Sequence, residues 1–181
     1  MRASIPICFR EGYPPFVPAT LHWHAIESRV TVNLVVDTGA FDIVLSDEDV
    51  STLGVDIDRL RPSKTPIGGV GGTVPSYDLH GVSVSFTCDL GKTHAFGLRT
   101  LRVMETRRLP GVKKEGGLSL LGRRFLQDSG FSLYWNFGRE RARLSVQDRS
   151  DQDLRRDFIP WETAYEASEQ GQDHHPRHRC V

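Results

Sequence analysis

The stretch VNLVVDTGAFDIVLS, Val32 to Ser46, decides how this chain reads. Four of the five residues before Asp37 are Val or Leu, and IVL resumes the apolar character a few residues later. Carrying even a neutral polar group unpaired into an apolar interior costs about 2–7 kcal/mol, so a carboxylate between two apolar strands needs a physical reason. The plainest is a strand-ending turn in which Asp37 caps its own backbone. The other is a second carboxylate sharing the site. Two such groups in contact hold one proton between them; the ionised member then takes a proton from water while the protonated member polarises a carbonyl under attack. In that reading Thr38 supplies a hydroxyl that locks the loop, and Gly39 allows a tight turn with its carbonyl open to substrate.

Outward from this stretch, SDEDVSTLG predicts a short helix. Ser46 is its cap, Asp49 stands at capping-box spacing, acids fill the first turn and Gly54 ends it. A second helix is expected over GRRFLQDSG, Gly122 to Gly130, with Phe125 and Leu126 anchoring one face. Elsewhere the pattern is of β-branched runs punctuated by seventeen glycines and ten prolines, which predicts a mainly-β domain. Expected strands are SIPICF, ATLHWHAIES, RVTVNLVV, DIVLS, SYDLHGVSVSF, THAFGLRTLRV, GFSLYWN and ARLSV, with NFGRER as a hairpin turn around Asn136 and Gly138. Residues 1–146 read as the folded domain. From 147 to 181 the chain is charged and polar, with apolar residues at FIPW and Tyr165, and reads as a flexible tail.

The 181 residues suffice for one ordinary core. A formal net charge of +0 and a pI near 7.1 argue against a dedicated nucleic-acid or anionic-membrane surface. Cys8, Cys88 and Cys180 are odd in number and widely spaced, which fits neither a disulfide framework nor a metal pairing and points to a reducing, cytoplasmic setting. The opening MRASIPICFREGYPPF holds no apolar core of signal-peptide length, and no run is long enough to span a bilayer. Cys88 reads as a small apolar filler in a strand.

PIGGVGGTV, Pro66 to Val74, sets four glycines, Gly68, Gly69, Gly71 and Gly72, around Val70. It lacks the Lys-Ser/Thr of a Walker loop and the last glycine of a dinucleotide fingerprint. It is either a plain hairpin tip or a mobile hairpin whose backbone amides reach a peptide. His22 and His24 in LHWHAIE share one face of the expected strand, a spacing that can bind metal, but no further ligand is obvious nearby. An exposed strand face is the better reading, and no metal or other cofactor is expected. The tail's HHPRHRC could chelate adventitious zinc or nickel but lacks a fixed scaffold.

With an apolar pair leading into DTGA, the chain resembles the retroviral-type aspartic proteases. Two further stretches match that family in order: PIGGVGGTV looks like its glycine-rich flap tip, and LSLLGRRFLQDSGFSLYW, Leu118 to Trp135, like its apolar-apolar-Gly-Arg segment and following helix. The resemblance covers about Leu21 to Val146. It implies a closed acid-protease barrel with a flap hairpin, closer to cellular and bacterial single-domain relatives, because the chain continues through SLYWNFGRERARLSV. It implies Asp37, Thr38 and Gly39 as the catalytic triplet, with Ala40, Gly68, Gly69, Val70, Gly71 and Gly72 against a peptide. Leu120, Leu121, Gly122 and Arg123 would support the loop from beneath. Asp128 of DSG follows a helical pattern, RRFLQ, rather than an apolar strand, and is rejected as a second catalytic aspartate. The second carboxylate is then expected from another copy of the chain, as a two-fold homodimer supplies.

Two departures from the family pattern stand out. The viral enzymes carry an acid after DTGA that pairs with the arginine of the apolar-Gly segment; that place is Phe41 here, with Asp42 next, so Arg123 is expected to pair with Asp42 or another group. The loop ETRRLPGVKKEGG, Glu105 to Gly117, is the other. The function implied is an aspartic endopeptidase. The alternatives are a dimeric peptide-binding or assembly module of the same fold, against which an intact DTGA speaks, and a zinc-dependent hydrolase built on His22 and His24, which would be sensitive to chelators.

Overall fold

The computed structural model describes residues 2–69, 72–106, 117–136 and 141–147. Short β-branched runs become β1 (Arg2–Pro6), β2 (Cys8–Arg10), β3 (Tyr13–Trp23), β4 (Ser28–Asp37) and β5 (Val44–Ser46). Helix α1 (Asp47–Thr52) follows, then β6 (Arg61–Pro62), β7 (Ile67–Gly69), β8 (Gly72–Val74), β9 (Ser76–Leu79), β10 (Val82–Thr87), β11 (Thr93–Leu98) and β12 (Leu101–Met104). The described chain ends with β13 (Leu120–Gly122), α2 (Arg123–Asp128), β14 (Phe131–Asn136) and β15 (Arg141–Gln147). The protein is mainly β, as its composition predicts. The Asn136–Gly138 turn, the loop over 107–116 and the tail with its FIPW and HHPRHRC segments fall largely or wholly outside the described residues, although β14 and β15 pair antiparallel with Asn136 opposite Arg141.

The main sheet runs β11-β10-β3-β4-β13-β5-β12-β9-β6, with β2 alongside β3. Its two flanks are halves of one creased ribbon. SYDLHGVSVSF and THAFGLRTLRV each break once, into β9 and β10 and into β11 and β12. The register carries straight through the break, from Leu79 opposite Leu101 to Val82 opposite Leu98. Gly81 at φ 69° makes the corner, a left-handed conformation that other residues rarely adopt, and His80 Nδ1 meets the Arg99 carbonyl across it at 3.1 Å. One half of the ribbon then pairs with β3 and the other with β5. The ladder itself stays an open path among the described residues: no pairing there joins β11 to β6, so closure into a barrel is not seen in the strand pairing. SIPICF likewise divides, at Ile7, into β1 and β2, which join different sheets. β1, β15 and β14 form a separate three-stranded sheet, and β7 with β8 a two-stranded one.

Period-two alternation turns Val82, Val84 and Phe86 of β10 inward, with Leu101 and Val103 of β12, against Val17, Leu21, Leu34, Leu45 and Leu121. Each such side chain contributes about 1.5–3 kcal/mol on burial. Cys88, one residue past β10, is buried in the same core. Phe86, Phe96, Phe125 and Phe131 pack with neighbouring ring centroids 5.4–6.2 Å apart, which anchors α2 and β14 to the ribbon. No helix among the described residues is long and apolar enough to cross a membrane.

Candidate active site

Asp37 is the last residue of β4, and β13 lies between β4 and β5, the strands that enter and leave its loop. Leu120, Leu121 and Gly122 run parallel to Val35, Val36 and Asp37, while Leu120 also pairs with Val44. The chain then turns into α2, whose first amides have no partner within the helix. Two of them reach the loop: Arg123 N–H donates to the Ala40 carbonyl at 3.0 Å and Arg124 N–H to that of Phe41 at 2.9 Å. Gly122 sits directly against the backbone of Asp42, closer than any Cβ could. The loop is thus held by backbone groups of Gly122, Arg123 and Arg124.

Within the loop, Asp37 Oδ1 accepts the Gly39 N–H at 2.8 Å, and the Asp37 carbonyl accepts from Ala40 at 3.2 Å. Thr38 and Gly39 are exposed and Asp37 half-buried. In a single chain the carboxylate is therefore not sealed between the two apolar strands. It sits at the rim, bent back on its own loop.

Of the partners left open for Arg123, Asp42 goes to its neighbour. It is Arg124, not Arg123, whose guanidinium reaches Asp42, at 3.9 Å, and it also reaches Asp128 at 3.5 Å, one helical turn on. Arg123 lies over the ring of Phe41, 5.7 Å from its centroid, with Arg124 at 5.3 Å. Phe41 thus offers both guanidiniums a cation–π contact. Asp128 is at the exposed end of α2, and Gly130 follows at φ 69°, so DSG is a helix terminus.

Behind the loop, the capping box of α1 is relayed. Ser46 Oγ accepts the Asp49 N–H at 3.2 Å, but Asp49 does not return to Ser46 directly. Ser119, fully buried, accepts the Ser46 N–H at 3.0 Å and donates its hydroxyl to Asp49 Oδ2 at 2.5 Å. The carbonyl of Ser119 also takes the Val35 N–H at 2.8 Å, so one residue joins β4, β5 and α1 just before β13. Asp49 further raises the pKa of the Tyr13 phenol, an effect led by burial and opposed by Arg10. Ser119 carries no sequence signal for this role, since a lone serine before LLG reads as a turn residue.

β7 and β8 form the glycine-rich hairpin, with Gly68 opposite Thr73 and Gly69 opposite Gly72. Val70 and Gly71, the expected tip, lie outside the described residues. At the far end of β4, His22 and His24 do not share a strand face. β3 stops at Trp23 and His24 enters a turn, because Trp23 already pairs with Ser28. That turn brings Glu27 back to His22, Nε2 to Oε2 at 3.0 Å, a neighbour that the alternation of a continuous strand would have put on the opposite face.

No family model matches the chain, and no curated protein matches it either. Among solved structures it is similar to a retropepsin-like aspartic protease from Rickettsia conorii, with 21% identity, 81% of this chain and 92% of that one covered, and a TM-score of 0.47. It is also similar to EIAV protease complexed with the inhibitor HBY-793, with 24% identity, 71% of this chain and 100% of that one covered, and a TM-score of 0.42.

Proposed function

We propose that the protein is an aspartic endopeptidase acting as a homodimer, in which Asp37 and the partner's Asp37 share one proton and bind a water between them. The ionised aspartate takes a proton from the water as its oxygen attacks the peptide carbonyl carbon; the protonated one gives its proton to the carbonyl oxygen. The resulting diol collapses as a proton passes to the amide nitrogen, the C–N bond breaks, and a carboxylic acid and an amine leave. Thr38 holds the loop across the two-fold axis. The β7–β8 hairpin closes over the peptide with Ala40, Gly68, Gly69 and Gly72 against its backbone, and Val70 and Gly71 are proposed as further peptide-binding residues. The creased ribbon, which returns to both flanks of the main sheet, serves as the closed barrel of the acid-protease fold.

One observation carries this reading. Asp37 stands at a strand end on a loop whose carbonyls are held by the amides of Arg123 and Arg124 and whose floor is Gly122, so its carboxylate is held in place yet only half-buried. A turn residue capping itself needs no such clamp. A half-buried carboxylate at the rim of one chain is also what a two-fold pairing requires.

The test is cleavage of a denatured protein or peptide library, with and without a pepstatin-type transition-state mimic. Wild type should cleave and be inhibited, and Asp37→Asn should be inactive with an unchanged circular-dichroism spectrum. Asp128→Asn should cleave normally. A chain that binds peptides without cutting them would instead be a binding module of this fold.

A further inference from the structure

We propose that His22, His24 and Glu27, at the β3–β4 turn, form a binding site for a divalent cation of the zinc class. One ligand atom from each lies within 4.8 Å of the others. Tetrahedral Zn²⁺ holds imidazole nitrogen and carboxylate oxygen at about 2.0–2.2 Å, which sets neighbouring ligands about 3.3 Å apart. The His22 Nε2 to Glu27 Oε2 separation of 3.0 Å is close to that already. The two imidazoles stack obliquely, with centroids 4.0 Å apart and planes at 49°. Two imidazoles and one carboxylate suit Zn²⁺ by ligand type and leave a fourth position for water.

The positions are built rather than accidental. His22 is fixed in the ladder between Arg29 of β4 and Ser83 of β10. His24 is held at both ends, its N–H donating to the Gly81 carbonyl at 3.0 Å and its Nε2 meeting Ser83 Oγ at 3.1 Å. That hydroxyl is the kind of outer partner that orients a metal-binding imidazole. Glu27 takes φ 52°, uncommon for a residue with a side chain, and its carboxylate folds back over His22. Its side chain is 72% exposed against 15% for His22, so it is the ligand free to adjust. Arg29, opposite His22, opposes a cation there, but it is exposed, where solvent screens its charge.

The site does not serve the aspartate chemistry. β4 runs from Ser28 to Asp37, so at roughly 3.3 Å per residue the turn lies about 30 Å from Asp37. A cation there would tie the β3–β4 turn to itself and resist fraying of the two longest strands.

The experiment uses the full chain with His174, His175, His178 and Cys180 changed to Ala, since the tail offers competing donors. Zn²⁺ is titrated into this metal-free reference by calorimetry, with Co²⁺ as a spectroscopic probe of tetrahedral geometry. The reference should bind one Zn²⁺ per chain and melt higher with it. His24→Ala and Glu27→Ala should each weaken binding at least about tenfold and lose the melting shift. Glu27 is exposed, so its replacement leaves the fold intact and decides the matter even if His24→Ala fails to fold. A reference that binds no Zn²⁺, or a Glu27→Ala chain that binds it unchanged, overturns the proposal.

Discussion

Gly122 rests directly on the backbone of Asp42: a Cβ on Gly122 would overlap the carbonyl oxygen, the carbonyl carbon and the amide nitrogen of Asp42. Neither partner can swing away, because Gly122 is paired to Asp37 in the sheet and the loop is held by the amides that follow. Gly122→Ala should therefore destabilise the protein by about 3 kcal/mol or more, the upper end of overpacking costs, and abolish cleavage. Gly117→Ala meets the side chain of Thr106 rather than backbone; moving it costs the hydrogen bond of its hydroxyl to Asp47, about 0.5–1.5 kcal/mol, so this variant should lose less. Urea midpoints of the two variants, measured side by side, check the order.

The Ser119 relay makes a second, quieter prediction. Ser119→Ala leaves the Ser46 N–H and Asp49 Oδ2 without their partner inside the core, at a cost of about 1–3 kcal/mol. Because Ser119 also fixes the entry to β13 through its backbone, which the substitution keeps, the fold should survive and cleavage should fall only in part. Equal urea midpoints for wild type and Ser119→Ala would show that the relay contributes nothing.

Activity should follow a bell-shaped pH profile. The working pair carries one proton, so the rate falls at high pH as that proton is lost and at low pH as the remaining carboxylate is neutralised. The optimum should lie on the acidic side of neutrality, with apparent values that belong to the pair. Rates that climb steadily into alkaline pH would point to a metal hydroxide instead. EDTA should leave the rate of folded enzyme unchanged.

Half a site should be useless. Mixing wild type with excess Asp37→Asn chains, under conditions where subunits exchange, should convert most wild-type chains to heterodimers with one aspartate and remove most activity. Specific activity of wild type alone should also fall on dilution through the dimer dissociation constant. Full activity after verified exchange would mean that each chain carries a complete site.

How legible this site is in the sequence depends on whether backbone or side chains build it. DTGA, LLG and the capped helices announce themselves because turns, close approaches and helix ends demand particular residues. Ser46 and Gly54, for instance, stand where α1 begins and ends. The crease at Gly81 was hidden because a single glycine inside a long β run is compatible with a continuous strand. Arg124 was hidden behind Arg123 because, at the start of a short helix, either could face the loop. Glu27 was hidden because its turn, His24-Ala25-Ile26-Glu27, has none of the glycine, proline or asparagine that marks turns. Its Ile26 approaches Gly54 after α1, a contact that only the folded chain brings about.

The insertion of β13 between β4 and β5 has a consequence for a chain emerging from the ribosome. Synthesis delivers β4, the Asp37 loop and β5 early, but the strand that separates and joins them arrives only with Leu120–Gly122. Until then the inner edges of both strands present bare amides and carbonyls, and the loop has neither floor nor clamp. The nascent protein thus carries its aspartate from the first third of translation yet cannot hold it in working geometry until most of the domain has been made. Such an order keeps the Asp37 loop, the proposed catalytic loop, unassembled while the chain is tethered beside other unfinished chains.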